Sequence, residues 1–294
     1  MRSRLDRQLD EMKQNLIEMG SCCENCIGQV ALTLQDIAAT ESTELSEKNR
    51  QMINKIYESD AEIDKLERLI ESECLRLLLE QQPVARDLRY ISSALKMISD
   101  LERIGDQCSD IADIAEYLYG KDQDGMESAI RIQDMASATM RMVTRAVESF
   151  IQKDLALAKS VQESDDVVDN MFDEIKKEIV ELIAKYPDRG EMMLDFLMVA
   201  KYFERIGDHA TNVAEWVEFS ITGERPVMTK YTFDQKTMEE KKLARDERVF
   251  KRVQYSDGLD ADRSGDVDLG AATLDEILNR KCPFCRSQVF QSFL

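Results

Sequence analysis

At the start of the chain, apolar side chains fall at Leu5, Leu9, Met12, Leu16, Met19, Cys23, Cys26 and Val30, at intervals that alternate between four and three. That period lays one apolar seam along one face of an α-helix. It predicts a first helix running to a turn at Ala39-Thr40-Glu41-Ser42. A second helix is predicted from about Thr43 to Glu80, with Ile53, Ile56, Ile63, Leu66, Ile70 and Leu77 on its seam. Gln82-Pro83 interrupts it, because proline has no N–H and disfavours helix in the residue before it. A third helix is expected from Val84 to Tyr119, before a polar, glycine-bounded break at Gly120 to Gly125. The same plan then returns: Met126 to Gln152, Asp154 to Lys185, an interruption at Tyr186-Pro187, and Asp188 to Ile221, stopped by Gly223-Glu224-Arg225-Pro226.

The recurrence extends to individual residues. Glu58-Ser59-Asp60 returns as Glu163-Ser164-Asp165, Asp64 as Asp169, and Pro83 as Pro187. Glu102-Arg103-Ile104-Gly105-Asp106 returns verbatim as Glu204-Arg205-Ile206-Gly207-Asp208. The unit is about twice the length of a solenoid repeat, so it reads as a duplicated bundle. The expected fold is all-α, with two tandem, pseudo-repeated three-helix bundles over 1–120 and 125–222 and a C-terminal extension over 227–294.

Composition sharpens this picture. Of the 294 residues 43% are hydrophobic, enough for a sizeable core, and 33% are charged with only 4 Pro and 11 Gly, a profile that suits long helices. Aromatic residues at 6% argue against a β-sandwich or barrel. A net charge of −19 disfavours nucleic acid as a direct partner and favours cations, basic partner surfaces and solubility. The segment Met192 to Phe203 is broken by Asp195 and Lys201, well short of the ~20 apolar residues that span a bilayer. The charged start, Met1-Arg-Ser-Arg-Leu-Asp-Arg, has no apolar stretch behind it, so a cytoplasmic protein with reduced cysteines is expected.

The candidate chemistry is carried by carboxylates. Asp60 and Asp64 stand four apart on the second helix; Glu102, Asp106 and Asp110 stand four apart on the third. The second half repeats this with Asp165 and Asp169, then Glu204 and Asp208, with Asn212 in the place of Asp110. Residues at i and i+4 share a helix face, and like charges there repel by a few tenths of a kcal/mol. Packed antiparallel, the two helices of each half would bring these groups together, and such a group stays ionised only if a cation screens it. All-oxygen ligands suit hard cations such as Mg²⁺, Mn²⁺, Ca²⁺ or oxidised iron; the alternative is a solvated acidic face. Gly105 and Gly207 each cost about 1 kcal/mol inside a helix; close approach of a neighbour, room for metal and water, or tolerated packing would each account for them. Arg103 and Arg205 point about 100° round from the motif glutamates and read as ion-pair partners rather than ligands.

On these motifs, Asp100-Leu-Glu-Arg-Ile-Gly-Asp106 and Tyr202-Phe-Glu-Arg-Ile-Gly-Asp208 with the upstream aspartate pairs, residues 1–222 resemble the PhoU family of bacterial phosphate-uptake regulators. The resemblance implies a metal cluster in each bundle (iron, with manganese, magnesium or zinc as other candidates), a homodimer, and restraint of the phosphate-starvation response. It implies as partners the ATPase of the phosphate ABC transporter and a membrane sensor histidine kinase. Asp110, where the second repeat has Asn212, departs from the common pattern and makes the first site more acidic.

Rival functions are a carboxylate-bridged di-metal oxidase of the ferritin-like kind and a metal-free helical adaptor. The oxidase needs paired Glu-x-x-His motifs, and His209 is the only histidine, five residues after Glu204. No nucleophile triad, phosphate loop or dinucleotide turn is present, so no enzyme is expected. In the extension, Asp260 to Asp268 resembles the front of an EF-hand loop but has Ala271 where the bidentate glutamate belongs, and reads as an acidic linker. Cys282 and Cys285 form one C-x-x-C, which reads as half a zinc site that two copies could complete, a redox-active pair or incidental thiols. Cys23 and Cys26 read as core residues, with Cys22 one residue off the seam.

Overall fold

The seam of the first helix is buried as its spacing predicts: in α1 (Arg2–Ala39), Met12, Leu16, Met19, Cys23, Cys26 and Val30 have no exposed surface. The computed structural model describes residues 2–39, 45–119 and 128–224. The Gly120 to Gly125 break and the extension with its Asp-rich segment and Cys282 and Cys285 lie outside these residues.

α2 (Glu47–Gln81) starts later than its apolar pattern suggests, because Ser46 forms a capping box. Ser46 Oγ accepts from the Asn49 N–H at 3.2 Å, and Asn49 Oδ1 accepts from the Ser46 N–H at 2.9 Å, so two end donors are satisfied reciprocally. The helix ends at Gln82, which turns left-handed at φ 45° before Pro83. α3 (Ala85–Leu118) follows at once, and so α2 and α3 pack antiparallel.

α4 (Ser128–Gln152) passes to α5 (Leu155–Lys185) through two residues. The Lys153 N–H donates to Phe150 O at 3.3 Å and the Asp154 N–H to Ser149 O at 2.9 Å, the paired bonds of a Schellman motif. Lys153 occupies the left-handed position at φ 56°, where a side chain costs ~1–2 kcal/mol and glycine is the usual residue. Asp154 then caps α5, its Oδ1 accepting from the Leu157 N–H at 3.0 Å. A 3₁₀ turn at Pro187–Arg189 leads into α6 (Gly190–Thr222), which ends at Gly223 in the left-handed region at φ 82°.

Among the described residues the structure is therefore all-helical, α1–α3 repeated as α4–α6. The two sets share one core. α3 packs along α6 and α1 along α4, while α1 with α2 and α4 with α5 complete each set. Phe150, Phe196 and Phe203 are among the largest fully buried side chains. No helix among the described residues is long and apolar enough to cross a membrane.

Candidate metal centre

The antiparallel packing of α2 on α3 sets Asp60 directly against Gly105. A Cβ built on Gly105 would collide with Asp60 Oδ1 and stand 3.2 Å from Ile63 Cδ1. Close approach of a carboxylate from the neighbouring helix is thus what requires glycine here. Ser109 Oγ–H donates to Asp60 Oδ2 at 2.7 Å, while Asp60 Oδ1 is buried and accepts no hydrogen bond. Burial is the main force that raises the Asp60 carboxyl above its usual range; the charges of Asp106, Asp64 and Asp110 add to it, and the Ser109 bond opposes it.

The neighbours respond alike. Glu102 is raised by burial and then by Asp106, against the pull of Arg103. Asp110 is raised by burial, then by Asp106 and Asp113, against a hydrogen bond from Tyr202 and the charge of Arg205. Glu67, unforeseen in the sequence although it continues the Asp60 and Asp64 face by one more turn, is raised by burial and then by Glu71 and Asp64. The mutual repulsion expected from the spacing is therefore present on the α2–α3 face. Two arginines offset part of it. Arg103 pairs with Asp106 at 2.9 Å and Glu102 at 3.5 Å, as its position round the helix predicts, and Arg68 pairs with Asp64 at 2.7 Å.

The repeated face on α5 and α6 has a different balance. Asp165 is 3% exposed, and Asp169 follows one turn on; Glu204 and Asp208 are half-buried on α6. A Cβ at Gly207 would stand 3.4 Å from Val168 Cγ1 and 3.7 Å from Asp165 Oδ1, ordinary contact distances. The close approach that demands glycine in the first half is relaxed in the second. Lys201 pairs with Glu204 and holds its ammonium 5.2 Å from the Phe172 ring centroid. Phe172 occupies the repeat position of Glu67, so an apolar ring replaces a carboxylate.

The last candidate position of each half is drawn elsewhere. Asn212 donates to Asp100 Oδ1 at 3.1 Å, and His209 Nδ1 lies 2.9 Å from the same oxygen. In return, the Tyr202 hydroxyl bonds Asp110. Asp100 and Asp110 of α3 correspond in the repeat to Tyr202 and Asn212 of α6, so the two contacts form a reciprocal pair across the α3–α6 interface.

Among the described residues no three Asp, Glu, Cys or His side chains stand at ligand spacing around one point. The donor chemistry of the first face nonetheless fits a hard cation: the donors are oxygens, one of them is buried without a hydrogen-bond donor, and their carboxyls repel one another. The second face likewise offers oxygen donors, with Lys201 supplying one positive charge at Glu204.

The PhoU domain family model matches the chain twice, over residues 35–115 and 132–217. The phosphate-specific transport system accessory protein PhoU homolog 1 of Thermotoga maritima is 33% identical over 218 residues, 74% of this chain and 89% of the relative. The accessory protein PhoU homolog of Clostridium acetobutylicum is 32% identical over 221 residues, 75% of this chain and 95% of the relative. The crystal structure of PhoU from Pseudomonas aeruginosa superposes with a TM-score of 0.66 at 30% identity, covering 74% of this chain and 99% of that one.

Proposed function

The chain belongs to the PhoU family, whose members are accessory proteins rather than enzymes, and from that premise we propose that it serves phosphate-specific transport as a negative regulator. In this reading it restrains phosphate uptake and the phosphate-starvation response when phosphate is plentiful. It does so as a cytoplasmic homodimer bridging the ATPase of the phosphate ABC transporter and a membrane sensor histidine kinase.

The same reading makes the acidic faces metal sites. Asp60, Asp64, Glu102 and Asp106, with Asp110 beside them, would hold a cation on α2 and α3; Asp165, Asp169, Glu204 and Asp208, with Asn212, would do so on α5 and α6. Iron, manganese, magnesium or zinc would supply positive charge that offsets the repulsion among the carboxylates. The observation that carries this reading is the buried Asp60 oxygen that no donor satisfies, in the middle of carboxyls raised by burial first and by one another second. A metal-free helical adaptor is the second reading, favoured by Arg68, Arg103 and Lys201, which already stand as counter-ions on the two faces.

Two measurements decide between them. Elemental analysis of protein purified without added metal should find bound metal that falls in Glu102→Ala and Glu204→Ala; unchanged content in both variants would leave the adaptor. A pull-down from phosphate-rich cells should recover the transporter ATPase or a sensor kinase. Recovery of neither, together with unaltered phosphate regulation in a deletion strain, would overturn the regulatory reading.

A further inference from the structure

On a chain of net charge −19, a place where cations crowd together calls for a reason. One such place lies where α1, the first turns of α3 and the α4–α5 turn meet. The ammonium groups of Lys13 and Lys153 stand 6.0 Å and 5.0 Å from the centroid of the same ring, that of Tyr90. The ring is a fixed post: it is 5% exposed and stacks on Phe150 with centroids 4.2 Å apart. Arg86, in the first turn of α3, lies close enough for its charge to act on Lys153. Lys153 is pushed below the usual lysine range by burial first and then by Lys13 and Arg86, with Asp87 opposing. The carboxylates within reach are Asp10, which pairs with Lys13 at 2.9 Å, and Asp87. The adjacent start of α3 has no side-chain cap on its amides, which adds partial positive charge to the same region.

The backbone at Lys153 points the same way. It fills the left-handed position of a Schellman motif, the place that suits glycine because glycine has no Cβ. Local structure alone favours glycine there, whereas lysine brings a charge to a site where two other cations already repel it. A structural role for the lysine, such as offsetting the negative end of α4, does not need Lys13 and Arg86 beside it.

We propose that Lys13, Arg86 and Lys153 bind a dianionic phosphate group. A tetrahedral oxyanion offers enough oxygens and charge to engage two ammonium groups and one guanidinium coming from three separate elements, where a carboxylate offers only two oxygens and one charge. A polyanion such as nucleic acid is repelled by the rest of the acidic surface.

The test is calorimetric titration of the full chain with inorganic phosphate and, separately, with glycerol phosphate, at constant ionic strength set by chloride. Saturable binding is expected, weakened at least about tenfold in Lys153→Gly and in Arg86→Gln, each of which removes one charged donor. Lys153→Gly should melt at or above the wild-type temperature, which separates loss of the site from loss of the fold; Arg86→Gln serves the same purpose if that variant folds poorly. Binding of inorganic phosphate alone assigns the free ion, and binding of both assigns a phosphate group carried on a larger molecule. No saturable heat from either probe, or undiminished binding in both variants, overturns the proposal.

Discussion

Replacing Gly105 by alanine sets two effects of known size against each other. Alanine inside a helix gains about 1 kcal/mol over glycine. Against this, the new Cβ takes the place of Asp60 Oδ1. The Asp60 side chain is short, and rotating it away breaks the 2.7 Å bond from Ser109, a hydrogen bond to a charged group worth about 1.5–3 kcal/mol. Ile63 Cδ1, 3.2 Å from the new carbon, must also yield, and overpacking of this kind costs about 1–3 kcal/mol. The net expectation is destabilisation by about 1.5–5 kcal/mol, a fall of about 3–20 °C at about 2–4 °C per kcal/mol for a chain of this size. Gly207→Ala meets only ordinary contacts at 3.4 Å and 3.7 Å and should gain up to about 1 kcal/mol. Thermal and urea unfolding, followed by helical circular dichroism in the presence of a chelator, reads both. Repeating Gly105→Ala in an Asp60→Ala background should remove the Asp60 part of the cost, a coupling of about 1.5 kcal/mol or more, and leave only the Ile63 contact against the helix gain. Equal responses at the two glycines, or a Gly105→Ala protein more stable than wild type, would refute the claim that Asp60 dictates the glycine.

Two further outcomes follow from the same geometry. Because Asp60, Glu67, Glu102 and Asp110 are raised in the folded state, the folded protein binds more protons than the unfolded chain just above the ordinary carboxyl range of about 4. In chelator, the urea midpoint should therefore climb as pH is lowered from 7 toward that range and fall as pH rises back through it, with a shallower slope in Asp60→Asn; a midpoint that falls steadily on acidification would contradict the assignment. Asp100→Ala removes the acceptor shared by His209 and Asn212 and should cost about 1–3 kcal/mol, measured by the same unfolding, with faster hydrogen exchange concentrated in α3 and α6.

The sequence tells helix existence well because each seam answers to burial. The Ile53, Ile56, Ile63, Leu66, Ile70 and Leu77 series of α2 is wholly in the core. It tells helix starts less well: the apolar pattern of α2 cannot reveal that Ser46 and Asn49 close a capping box, which moves the start past Thr43. At the acidic faces, the Asp60 with Asp64 and Glu102 with Asp106 pairs were legible because i and i+4 share a face. What spacing within one helix cannot supply is a partner from another. Tyr202 bonding Asp110, Asn212 bonding Asp100, and the basic cluster of Lys13, Arg86 and Lys153 are all made by tertiary packing of residues distant in the chain.

Duplication left two acidic faces with one backbone plan but unequal charge. The α2–α3 face gathers Asp60, Asp64, Glu67, Glu102, Asp106 and Asp110, offset by Arg68 and Arg103. On the α5–α6 face, Phe172 replaces Glu67, Asn212 replaces Asp110, and Lys201 sits on Glu204. Coulomb energy rises with the unmet charge in a site, so a hard cation gains most at the first face. The glycine geometry runs parallel: the carboxylate is pressed hardest against its neighbour helix at Gly105, where the negative charge is densest, and is relaxed at Gly207, where part of it has been removed. The verbatim Glu-Arg-Ile-Gly-Asp repeat therefore marks a shared scaffold, while the residues around it give the two halves faces of unequal carboxylate number, one with Arg68 and Arg103 as counter-ions and the other with Lys201.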